Sequence, residues 1–324
     1  MKFATAGARV LAAGALMAFV GLACAQAYPT RPIRLIVPTA AGNTTSNVAR
    51  LTGQKLTESW GQQVIVDNRS GGNSVIGTEI AAKAAPDGYT LLVVTTTHAI
   101  SASLLPNLPY DSIKDFAPVA GLSISPMILV LNPSVPAGNL QEFIALAKSR
   151  PRQLNYATTG SGSVTHLAGE LFSSIAGVEM QHVPYQGAAR GMIDLIGGQV
   201  QLSFIVVFNT LQHVAAGRLK PIAVTGNNRV PALAQVPTFT EAGMPGFDIN
   251  TWFGMTAARG TPKSVITSLS DEIARILSMP EFRERLASQG LEVFSANADQ
   301  FGAFMKSEVQ KFAKISKTAN IMVQ

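Results

Sequence analysis

Short runs of β-branched and aliphatic residues recur along the chain, separated by longer segments whose apolar positions return every three or four residues. That alternation of short apolar runs with segments of 3.6-residue period predicts an α/β fold. Strands are predicted over 33–37, 64–67, 90–95, 127–132, 153–157, 201–207 and 220–225. Helices are predicted over 48–59, 139–149 and 164–176. Thr261 and Pro262 then predict a helix start, the hydroxyl as cap and the proline as first helical residue. Val265, Leu269, Ile273 and Ile276 mark its apolar face. A continuation after Pro280 ends at Gly290. The last helix starts near Asp299, and Phe301, Phe304, Met305, Val309 and Phe312 share one side of it. Their helical spacing predicts core packing. No repeat, low-complexity segment or Pro/Ser-rich linker divides the chain, so domain boundaries fall where strands cross between domains, near 121–126 and 250–253.

The first 27 residues follow a different pattern. Lys2 and Arg9 precede an apolar run from Val10 to Leu22, and small residues lead to Ala25-Gln26-Ala27. This order predicts a cleaved secretory signal peptide, a mature start at Tyr28 and a periplasmic address. A lipid anchor at Cys24 is the weaker alternative, because Gly21 stands where such sites take a large aliphatic residue. Cleavage removes the single cysteine and leaves 25 − 2 = 23 basic against 19 acidic residues, a mild +4. Lys and Arg form no run of the kind that tracks phosphates, which argues against a nucleic-acid partner. A chain of 324 residues buries about 75% of its unfolded surface without disulfides or metals.

Catalytic signatures are missing. The chain has no G-x-S-x-G, G-x-x-x-x-G-K, G-x-G-x-x-G or H-E-x-x-H. His98, His166, His182 and His213 lack metal-ligand spacing, and His182, in a strand-like run, reads as structural. What recurs is a strand, a loop of small polar residues and a helix. One example is "IRLIVPTAAGNTTSNVAR", another "LNYATTGSGSVTHLAGELF". Such turns aim free backbone N–H groups and hydroxyls from a helix N-terminus, where the dipole adds partial positive charge. They suit an anion without Lys or Arg, at the carboxyl ends of strands where α/β proteins bind ligands. A third loop, "NRSGGNSVIG", reads equally well as a glycine-rich turn.

These motifs, with "VIVDNRSGGNSVIG", "AAPDGYTLLVVTTTHA", "YDSIKDFAPVAGL", "HVPYQGAARGMIDLIGGQV", "GRLKPIAVTG" and "VPTFTEAGMPGFDINTWFGM" in this order, resemble the solute receptors of tripartite tricarboxylate transporters, the Bug or TctC-like proteins. The resemblance covers residues 28–324. It implies a two-lobed, type II-like periplasmic binding protein fold with two crossover strands and a cleft. The expected lobes are 28–123 plus 252–324, and 124–251. It implies a monomeric receptor without cofactor or metal that delivers a small organic carboxylate to membrane permease subunits. The family's two ligand-gripping loops correspond here to 39–47 and 158–165. The candidate ligand residues are Thr39, Ala41, Gly42, Asn43, Thr44, Thr45, Ser46, Thr158, Thr159, Ser161, Gly162, Ser163 and Thr165. His98 and Tyr185 are added as cleft candidates, and Trp252 reads as core more than as a ligand contact.

Departures from the family pattern are informative. Asn43 follows Gly42 where a second glycine is usual, Ser46 takes the position of a usual acid, and Ile205 follows Phe204 where an acid is often found. With both acids gone, the expected ligand is a plain carboxylate with an apolar or aromatic body, not an amino acid; a receptor that has lost its ancestral ligand also fits. The rival readings are a receptor reporting to a membrane signalling partner, a periplasmic hydrolase using Ser161 or Ser163, and a structural partner-binding domain.

Overall fold

The computed structural model describes residues 28–318. The predicted signal peptide and Cys24 lie outside the described residues. Two sheets organise the chain. The first has six strands in the order β11-β4-β10-β3-β1-β2, and the second has five in the order β7-β6-β8-β5-β9. The strands are β1 (Ile33–Val37), β2 (Val64–Asn68), β3 (Thr90–Thr95), β4 (Phe116–Ser125), β5 (Met127–Leu131), β6 (Asn155–Thr158), β7 (Gln181–Pro184), β8 (Leu202–Val206), β9 (Lys220–Val224), β10 (Thr251–Ala258) and β11 (Glu292–Ala296). The helices are α1 (Thr44–Trp60), α2 (Val75–Ala82), α3 (Thr96–Leu104), α4 (Leu140–Ser149), α5 (Val164–Ala176), α6 (Ala188–Ile196), α7 (Leu211–Ala215), α8 (Lys263–Ser278), α9 (Pro280–Ala287) and α10 (Ala298–Thr318).

Central strands are apolar on both faces because helices cover both. In β1, Ile33, Leu35 and Val37 pack with Val48 and Leu56 of α1 and with Leu269 and Ile273 of α8. Ile36 points the other way, into a cluster with Phe301 and Phe312 of α10. That second cluster continues into the other sheet through Leu129, Phe172 and Phe204. The two sheets therefore share one stretch of core beside the crossovers.

The chain leaves the first sheet at Ser125, passes through Pro126 and enters β5; it returns at Asn250 into β10. Side chains tie the two crossings together. Thr225 Oγ1 accepts from Met127 N (2.8 Å) and donates to Asn250 Oδ1 (2.6 Å). Thr96 Oγ1 donates to Asn250 O (3.1 Å) and accepts from Trp252 N (2.8 Å).

One predicted helix start is corrected. Pro262 is the cap and not the first helical residue, so α8 begins at Lys263. Thr261 instead donates its hydroxyl back to Ala258 O (2.8 Å), which closes the turn out of β10.

Candidate functional site

Strand direction brings the polar loops together. β1, β2 and β3 run parallel, and β10 is antiparallel to both β3 and β4. Hence β1 to β4 all end on the side where β4 crosses into β5. In the second sheet β5 starts at that crossing, β8 is antiparallel to it, and β6 and β7 follow β8. The loops after β1, β2, β3, β6, β7 and β8 thus open at the junction of the two sheets, the end at which α/β sheets take ligands.

The first loop, 38–43, joins β1 to α1. Gly42 has φ +85, a left-handed conformation that glycine adopts freely. Asn43 caps α1: its Oδ1 accepts from Ser46 N (2.9 Å) and from Thr39 Oγ1 (3.2 Å). Among the described residues, the backbone N–H groups of Ala40, Ala41, Gly42, Thr44 and Thr45 find no acceptor. Ala41, Gly42 and Asn43 are exposed, Thr39 and Thr44 half-buried. Ser46 is different. It is fully buried beneath the loop, with Oγ in hydrogen-bond contact with the Asn68 amide (3.3–3.4 Å). Asn68 Nδ2 also donates to Thr39 O (2.9 Å). Ser46 therefore supports the loop from below. The sequence missed Asn68, whose signal was its place at the end of β2, before the glycine-rich turn.

The second loop joins β6 to α5. Thr165, buried on α5, is its keystone. Its Oγ1 accepts from Thr159 N (2.9 Å) and contacts Ser163 Oγ (2.8 Å) and Thr159 Oγ1 (3.2 Å). Ser163 caps α5, accepting from His166 N (3.3 Å) and donating to Gly160 O (2.7 Å). Gly160 and Gly162 both have positive φ. The N–H groups of Ser161, Val164 and Thr165 have no acceptor among the described residues. Ser161 is exposed, while Gly162 and Thr158 are buried. Neither α1 nor α5 carries an acidic residue in its first turn. Each loop is therefore a set of unpaired donors on a helix N-terminus, without a nearby carboxylate in that turn to repel an anion.

Behind the second loop lie side chains that sequence spacing did not connect. His166 Nδ1 accepts from Gly162 N (3.1 Å), and its ring stacks on His182 at 3.9 Å between centroids. His182 Nε2 meets Thr158 Oγ1 at 2.7 Å. His166 Nε2 lies 3.8 Å from Glu170, which also takes the Tyr156 hydroxyl. Burial and the neighbouring His166 push His182 down to about 4, and burial lowers His166.

The other candidates divide. Tyr185 is half-buried at the mouth of the loop after β7, its hydroxyl donating to Asp194 (3.0 Å) and its N–H to Thr158 O (3.0 Å). His98 is 4% exposed and belongs to the core. Its Nε2 donates to Ser112 O (2.7 Å), and it packs edge-on to Phe116 and parallel to Tyr110. Desolvation holds its pKa near 4, so it is neutral there. Trp252 is core as well, against Phe301 and Phe304. Ile205 is buried in β8 with Ala157, Met192 and Leu195. These residues and the three threonines Thr158, Thr159 and Thr165 line a small void of about 10 Å³ next to the second loop.

Known proteins resemble this chain over most of its length. Residues 48–321 match the tripartite tricarboxylate transporter family receptor. BugT of Bordetella pertussis is 36% identical over 307 residues, 93% of this chain and 94% of that one. Among solved structures, Rpa4515 of R. palustris with adipate superposes with a TM-score of 0.83 at 35% identity, covering 91% of this chain and 99% of that one. MatC of Rhodopseudomonas palustris with bound malate gives 0.78 at 31%, covering 89% and 99%.

Proposed function

The chain belongs to the tripartite tricarboxylate transporter receptor family, and from that premise we propose that it captures a small organic carboxylate in the periplasm and delivers it to the permease subunits of such a transporter. One observation carries the reading: two loops of unpaired backbone donors, each on a helix N-terminus, open at the same junction. A carboxylate has acceptor sites for donors from both, and charged acceptors make the stronger hydrogen bonds. Ala41, Gly42, Thr44 and Thr45 would bind from the first sheet, and Ser161, Thr165 and the hydroxyl of Thr159 from the second. The adipate and malate held by the two relatives are carboxylates of this size class.

The lobes proposed are 28–123 with 252–324 and 124–251, each built around one sheet, with the ligand favouring the form in which the loops approach. A ligand shifts that equilibrium only by its differential affinity for the two forms. Ile205 stands beside Thr158 and Thr159 with no acid among the residues lining that void, which supports a ligand without an ammonium group. The fully buried Ser46 supports the loop, so an acid there would be a buried charge and not a ligand contact.

The test is a thermal-shift screen of residues 28–324 against dicarboxylates, tricarboxylates, aromatic acids and amino acids. A ligand at 100 times its Kd adds about 2.7 kcal/mol, and each kcal/mol raises Tm by about 2–4 °C in domains of 150–250 residues. The expected hit is an acid with an apolar body. A set of hits confined to amino acids would overturn the ligand assignment, and no hit among the carboxylates would overturn the function.

A further inference from the structure

Gly162 stands in the second loop, yet its N–H does not face the junction free. It donates to His166 Nδ1 at 3.1 Å. The acceptor can only be an imidazole with its lone pair on Nδ1, hence neutral with the proton on Nε2. Glu170 lies 3.8 Å from that nitrogen. His166 is the third residue of α5, so its ring reaches back over the helix start as a capping-box side chain does. His182, from β7, lies flat against it and holds Thr158 at the other end of the loop. The titratable groups facing the pair are Tyr156 from β6 and Glu170 from α5.

We infer that His166 and His182 are positioning residues that fix the second ligand loop, and that protonating His166 releases Gly162 and weakens ligand binding. A proton on Nδ1 would set one donor against another across 3.1 Å. The loop must then turn Gly162 away, and the neighbouring Ser161 N–H moves with it. The stacked rings reinforce this, since a second positive charge at 3.9 Å is repelled. Burial already opposes protonation, and both imidazoles lie below their ordinary range. A folded-state pKa below the unfolded one contributes stability that is present above about pH 6.5 and lost as pH falls through the lowered value. For His182 that window ends at about 4. The loop is therefore set at neutral pH and loosens in acid. This inference rests on the second loop being a ligand loop, as proposed above.

The first test needs no ligand. In the free, ¹⁵N-labelled protein the Gly162 amide is followed from pH 8 to pH 4. Its resonance should titrate with the imidazole of His166 and lose exchange protection at the acid end. In His166→Asn, whose side-chain oxygen accepts without titrating, it should not. A Gly162 amide that ignores pH in the wild type, or titrates equally in His166→Asn, overturns the inference. The second test uses adipate as the probe at pH 7.5 and pH 5, where the variant carries the ligand's own titration as the control. The wild type should lose more affinity on acidification than His166→Asn, by up to about tenfold, the worth of about one hydrogen bond. Equal losses in the two overturn the link to binding. If adipate does not bind at pH 7.5, the failure is that of the ligand assignment, and the amide titration still decides the inference.

Discussion

Replacing Thr165 by valine is expected to weaken carboxylate binding about tenfold or more, with little change in the helical content of the protein. The two side chains have nearly the same shape, so α5 keeps its packing. What disappears is the oxygen that accepts from Thr159 N and holds Ser163 and Thr159 at hydrogen-bond distance. Valine leaves the Thr159 amide without its partner, and an unmade hydrogen bond of this kind costs about 1–3 kcal/mol. The loop escapes that cost by rearranging, which moves the Ser161 and Val164 donors. Calorimetric affinities of the wild type, Thr165→Val and Thr165→Ser read the effect. Serine keeps the oxygen and should bind within a few-fold of the wild type. Equal affinity in valine and threonine would show that the loop does not need this bridge.

The second large effect lies at the return crossing. Trp252 is 1% exposed and donates from Nε1 to Glu308 at 2.7 Å. Glu308, 4% exposed on α10, also pairs with Lys311 at 2.6 Å. Lys311 reaches Asp248 at 3.5 Å, just before the crossing strand. Glu308→Ala leaves an indole N–H buried without an acceptor, while Lys311 keeps Asp248 as a partner. Leaving a buried donor unpaired in this way costs about 1–3 kcal/mol. At about 2–4 °C per kcal/mol, Tm should fall by about 6 °C. Glu308→Gln keeps an acceptor for the indole and should lose less. A Tm in Glu308→Ala within 2 °C of the wild type, on the same scale, would mean that the crossing is held by the aromatic packing of Phe301 and Phe304 alone.

How far the sequence carried these conclusions depends on the range of the interactions involved. The strands at 33–37, 90–95 and 127–132 were legible because nearly every residue is buried and apolar on both faces, and the edge strand at 64–67 because of its Val-Ile-Val run, although it is only half-buried. β4 and β10 were legible only where they cross, near 121–126 and 250–253. β4 contains Pro118 and Gly121, and its pairing with β10 shifts register at two places, between Phe253 and Gly254 and between Met255 and Thr256. Gly254 itself permits Phe301 to lie on the strand, a close approach no periodicity announces. β7 is four residues long at a sheet edge and ends in Pro184, and β11 is an edge strand of five.

The same division holds at the site. Small donors between a strand and a helix are local, and they pointed to both loops. The residues that hold those loops are not local. Asn68 reaches Thr39 across 29 positions, and His182 reaches Thr158 across 24. His98 looked like a cleft residue because it follows β3 at the right end, but it opens a helix whose inner face turns it into the core against Ser112 and Phe116. Ser46 is turned inward by the same helical geometry, two residues after the start of α1. A strand-end position predicts the end of the sheet; the direction of the side chain is set by the helix that follows.

The central claim is that a carboxylate group is gripped by backbone donors of two loops. The direct measurement is calorimetric titration of the protein with the best acid from the screen and with its neutral primary amide, of nearly equal size. The account predicts one site per chain for the acid and a loss of at least about 1.5–3 kcal/mol for the amide, the worth of a charged hydrogen bond. Equal binding of acid and amide would contradict it, because donors placed for an anion cannot be indifferent to its charge.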